Sequence, residues 1–131
     1  MQNRSIQAGS TSNTSTVIRI LNQISMVPQT AIDFDTSGLV LRYQRDGAIA
    51  TSIAPAAISF LTSSYNSGGI EHIGDGYYRI DVPDAAFAVA TGVNGVLVTG
   101  TGTGLFVQGA YITLTQTNPV TGAPKTTPEK Y

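Results

Sequence analysis

Residues 68–88 read GGIEHIGDGYYRIDVPDAAFA, and this stretch decides the fold class. Tyr78, Ile80 and Val82 alternate with Tyr77, Arg79 and Asp81, the period-two pattern of a strand with its first set turned inward and its second set turned out. Gly74-Asp75-Gly76 just before it supplies the positive φ angles of a tight turn, so residues 69–73 and 77–82 are expected to pair as a hairpin. Pro83 stops the second strand, and the Ala-rich run to Ala90 is expected to form a short helical connector across an end of the sheet.

The same grammar extends outward. Residues 16–21 (TVIRIL) are a short β-branched run, and 38–44 (GLVLRYQ) place Leu39, Leu41 and Tyr43 on one face with Arg42 and Gln44 on the other. Arg45-Asp46-Gly47 then turns the chain, and 48–53 are expected to return with Ile49, Thr51 and Ile53 sharing a face. Residues 95–99 and 105–115 form two further expected strands, joined by GTGTG at 100–104. Residues 54–66, interrupted by Pro55, read as a strand on the strength of Ile58, Phe60 and Leu61, with a helical turn as the alternative. Short strands between turn signals, with almost no helix, are the sequence form of a sandwich or small barrel. The expected fold is all-β, a small β-sandwich of immunoglobulin-like or jelly-roll-like kind spanning 16–116.

Residues 1–15 (MQNRSIQAGSTSNTS) carry only Met1 and Ile6 as sizeable apolar groups and read as a flexible arm. Residues 117–131 carry Pro119, Pro124 and Pro128 among Thr, Gly and Lys, which reads as an extended tail. Either segment, fully extended, reaches on the order of 50 Å.

Composition narrows the function classes. The chain has 131 residues, 11% of them charged against about 25% in ordinary soluble domains. Ser, Thr, Asn and Gln keep the surface wet instead, which suits strands and also surfaces buried against neighbours. Seven Lys plus Arg balance eight Asp plus Glu, so no field steers nucleic acid or anionic membrane toward the chain, and neither is expected as a partner. Cysteine is absent, which removes disulfides, thiolate nucleophiles and zinc–thiolate sites. No apolar stretch near the N-terminus reads as a secretory signal, and none has the length of a membrane span.

No constellation of side chains compels chemistry. His72 is the single histidine and lacks a nucleophile or further ligands around it; Glu71, adjacent in a strand, points to the opposite face. Asp33-Phe34-Asp35 would align two carboxylates if extended, but a calcium loop needs more oxygen ligands than Thr36 and Ser37 add, and a solvated loop is the better reading. Asp75, Asp81 and Asp84 are explained by a turn, an outward strand position and a helix start. GTGTG lacks the spacing, lysine and following helix of a phosphate loop and suits a hairpin connection. Tyr43, Tyr77, Tyr78 and Tyr111 could form an aromatic platform for a sugar or base, although alternating tyrosines in strands more often pack. The expectation is a non-catalytic protein without cofactor or metal, with outward Tyr77 as the best single candidate for a partner contact.

Three segments carry a resemblance: TSGLVLRYQRDGA at 36–48, GGIEHIGDGYYRIDVPDAAFA at 68–88, and the closing pair GVLVTG and VQGAYITLT. Together they resemble small β-domain proteins encoded among the structural genes of tailed bacteriophages. The recurrent signature of that group falls on Gly76, Tyr78, Arg79, Ile80, Asp81, Val82, Pro83, Asp84, Ala85 and Ala86. Such domains serve in capsid decoration, in tail fibres and in receptor-binding assemblies. Because the chain stops soon after the domain, the resemblance implies a capsid decoration (cement) protein on the outer surface of the virion. It would be made in the host cytoplasm and bound, as a homotrimer, to the major capsid protein. The alternative is a tail-fibre or adhesin module that binds a host receptor or glycan. Under the decoration reading, Ile6 and the arm are expected to touch the capsid, with Tyr77 and Arg79 at subunit contacts.

Overall fold

In the computed structural model, which describes residues 2–10 and 14–115, the deciding stretch forms the expected hairpin. Ile70 lies opposite Ile80 and Glu71 opposite Arg79. Asp75 (φ 52°) and Gly76 (φ 82°) both take positive φ, which gives a two-residue turn the twist its strands require. Tyr78, Ile80 and Val82 are fully buried, as the alternation requires.

Among the described residues the chain runs β1 (Gln2–Gln7), β2 (Ser15–Asn22), β3 (Val40–Arg45), β4 (Thr51–Ile53), β5 (Ala56–Ala57), β6 (Gly69–Gly74), β7 (Tyr77–Asp81), a 3-10 turn (Asp84–Phe87), β8 (Gly95–Thr101), β9 (Leu105–Gln108) and β10 (Ala110–Thr115). Two five-stranded sheets result, ordered β1-β10-β8-β3-β4 and β5-β6-β7-β2-β9. The β1–β10 and β5–β6 pairs are parallel, and the others are antiparallel. The protein is therefore a small, nearly all-β sandwich. Ile18, Ile20, Leu41, Ile80, Val98 and Ile112 are among the buried side chains of its core, and Phe87 from the 3-10 turn joins them with no exposed surface. Each such residue contributes about 1.5–3 kcal/mol relative to exposure.

Several expectations change. Residues 2–7 form edge strand β1 instead of belonging to a free arm. They run alongside β10 from Gln2 opposite Ala110 to Gln7 opposite Thr115. The driving contact is Ile6, opposite Leu114 and packed against the core. Residues 1, 11–13 and 116–131, the last including the Pro-rich tail, lie outside the described residues.

The expected strand 105–115 is two strands in different sheets, β9 pairing with β2 and β10 with β8. Gly109 sits at the crossing, where an added Cβ would lie 2.4 Å from the Val98 carbonyl oxygen. Residues 54–66 supply only the two-residue β5; most of the segment is loop and turn. The return after Gly47 starts late, at Thr51, so Ile49 falls in the connection and is 89% exposed.

Candidate functional site

The two outer faces of the sandwich differ in character. On the first sheet the outward positions include Arg42, Thr99 and Ser52, which are cross-strand neighbours, together with Thr113 and Thr101. This is a polar face. On the second sheet, register places Phe106 beside Leu21 and Leu21 beside Pro28; one step along, Gln108, Arg19 and Tyr77 line up. Phe106 is 45% and Tyr77 42% exposed. The Arg19 guanidinium stands 4.7 Å from the Tyr77 ring centroid, and its Nε donates to the Asp75 carbonyl at 3.2 Å.

The other end of this face is covered by the 60–66 loop, held by Arg79 and Asp81. Two residues apart on β7, they point the same way. Arg79 Nε donates to Asp81 Oδ1 at 2.7 Å and Nη2 to Oδ2 at 2.8 Å. Nη1 also donates to the carbonyls of Leu61 (2.7 Å) and Ser63 (3.0 Å). Asp81 receives two further bonds, from Ser15 Oγ at 2.5 Å and the Asn66 N–H at 2.8 Å. The Arg79 and Asp81 side chains are 14% and 0% exposed.

Asp81, expected to face water, is thus buried. The alternation put it on the correct face, but the loop folds over that face. Burial alone would raise its pKa. The hydrogen bonds from Arg79, Ser15 and Asn66, with the charge of Arg79, outweigh that effect and hold the carboxyl below its ordinary value. Arg79 is raised in turn, first by its bond to Asp81. The clamped loop presents Phe60, 70% exposed, and the partly exposed Leu61.

The three residues singled out as contacts are therefore not one site. Ile6 lies in the first sheet and packs inward; Arg79 is committed to its own chain; Tyr77 is partly exposed, with one face of its ring against Arg19. The contact candidates that sequence reading missed are Phe60, Leu61 and Phe106. Phe106 alternates with Leu105 and Val107, which gave a signal, but the loop position of Phe60 gave none.

The remaining candidates are structural in their surroundings. His72 Nε2 accepts the Gly76 N–H at 3.3 Å, and its ring packs 4.9 Å from Tyr78. Asp33 Oδ1 accepts the Asp35 N–H and the Thr36 hydroxyl, making a compact turn in place of two aligned carboxylates. The Tyr78 hydroxyl donates to the Gln29 carbonyl and accepts the Ile32 N–H, and burial pushes its pKa up. Among the described residues no three His, Asp or Glu side chains gather as a metal-binding set.

A shallow depression of about 380 Å³ opens on the otherwise polar face of the first sheet, between Tyr111, Leu97, Gln44 and the turn at 45–47. Tyr111, one of the four tyrosines that could form an aromatic platform, lies at this depression. Cross-strand register, which sequence alone does not provide, brings it beside Leu97 and Gln44.

Comparison with protein families, with characterised proteins and with solved structures finds no match for the chain.

Proposed function

We propose that this chain is a capsid decoration (cement) protein of a tailed bacteriophage, bound as a homotrimer to the outer surface of the major capsid protein lattice and stabilising the head. The observation that carries this reading is the outer face of the second sheet. There Phe60, Leu61, Tyr77 and Phe106 expose large apolar surface in a protein with little charge of either sign. Such a surface suits a partner that covers it, with Tyr77 and Phe60 as aromatic anchors. The signature at Gly76–Ala86 supplies the phage context. Binding only the assembled shell favours that shell by mass action, and three copies per site add avidity. Ile6 is left out of the contact because it is used in the protein's own core.

Co-sedimentation with capsids stripped of this protein tests the reading. The full chain should pellet with the shells, and Tyr77→Ala and Phe60→Ala should each weaken binding by about tenfold or more. A chain that ignores capsids yet binds host cells would support the adhesin alternative. Deleting residues 1–15 is unsuitable for this test, since it removes β1 and the start of β2.

A further inference from the structure

The depression on the first sheet is built from three cross-strand neighbours. Gln44 on β3 lies opposite Leu97 on β8, which lies opposite Tyr111 on β10. At about 4.8 Å between strands, the row spans about 10 Å, the width of one or two sugar rings. Tyr111 reaches across its neighbouring strand over Gly95, where an added Cβ would lie 1.8 Å from the tyrosine oxygen and 2.3 Å from Cζ. Only glycine leaves room for the ring there, so the ring is laid over the sheet and remains half-buried.

The rim is polar. Asp46 Oδ2 accepts the Asn94 N–H at 2.9 Å, which orients the carboxylate and leaves Oδ1 without a partner among the described residues. Gln44 Nε2 donates to the Ala48 carbonyl at 3.0 Å, which fixes its amide at the edge. An apolar, partly aromatic floor with a few oriented polar groups suits a ring having one C–H face and several hydroxyls. The electrostatics select against anions: Asp46 contributes negative charge, while the Arg45 guanidinium is occupied by the carbonyls of Ala85 and Ala88.

We infer that this depression is a binding site for neutral carbohydrate. A sugar ring stacks on Tyr111, and its hydroxyls donate to the Asp46 carboxylate and bond the Gln44 amide. The site lies on the opposite outer face from the proposed capsid contact and does not depend on that reading.

Saturation-transfer NMR with the full chain tests the inference, using glucose, galactose, N-acetylglucosamine and their short oligomers as probes. At least one probe should bind in the millimolar range, with its ring C–H protons receiving saturation and the chain's shifts mapping to residues 44–47, 97 and 111. Tyr111→Ala should weaken binding about tenfold and Tyr111→Phe should retain it, because the aromatic face is kept. Gln44→Ala, at an exposed position that folding tolerates, should weaken it severalfold even if Tyr111→Ala fails to fold. No binding by any probe would overturn the site. So would binding that maps to another face, or affinity indifferent to Gln44→Ala and to a folded Tyr111→Ala.

Discussion

Removing the Asp81 carboxylate would strand the Arg79 guanidinium beneath a loop that the pair holds in place. Asp81→Ala should cost about 3–5 kcal/mol, the usual penalty for breaking a buried ion pair from one side, read as a loss in urea unfolding free energy. The folded-state pKa of Asp81 lies below its unfolded value of about 3.9, so its contribution is complete above that pH and is lost as pH falls through the folded value. Wild-type stability should therefore decline on acidification below about pH 4, and Asp81→Asn should flatten part of that decline. Alternation in 77–82 makes the facing of Tyr78, Ile80 and Asp81 legible. It does not disclose the covering of Asp81, because the 60–66 loop arrives from a segment whose pattern resembles a strand and which meets Arg79 and Asp81 through backbone carbonyls and the Asn66 N–H, groups invisible to hydropathy.

The elements show the same division. The Asp75-Gly76 turn was legible because its backbone demands leave a sequence mark. Gly76→Ala would keep φ near 82° and place a Cβ 2.8 Å from the Ile20 carbonyl oxygen and 2.9 Å from Pro28 Cβ. Urea unfolding should show a loss of about 1–3 kcal/mol or more. The split of β9 from β10 left a fainter mark: inward positions are odd at Leu105 and Val107, then even at Ala110, Ile112 and Leu114, so the alternation slips a step at Gly109. β1 left almost none, since a polar segment with Ile6 as its one large apolar residue has the composition of an arm. Deleting residues 1–7 should destabilise the fold, with partly buried Ile6 contributing less than the roughly 1.5–3 kcal/mol of a fully buried side chain, and the uncovered β10 edge should promote self-association measurable by light scattering.

For the whole molecule, sandwich architecture places an apolar-rich face and a polar face on opposite sides, a division no single strand pattern reveals. Near-neutral charge makes the proposed docking an apolar event: capsid binding should change little on a roughly tenfold rise in salt, in contrast to a contact made by ion pairs. The most direct test is a cryo-EM difference map between stripped capsids and the same capsids incubated with the full chain. Added density is expected at the three-fold positions of the outer shell, with the second sheet and the Phe60 loop against the capsid and the Tyr111 face outward. Capsids without added density, or density with the first sheet against the shell, would contradict it.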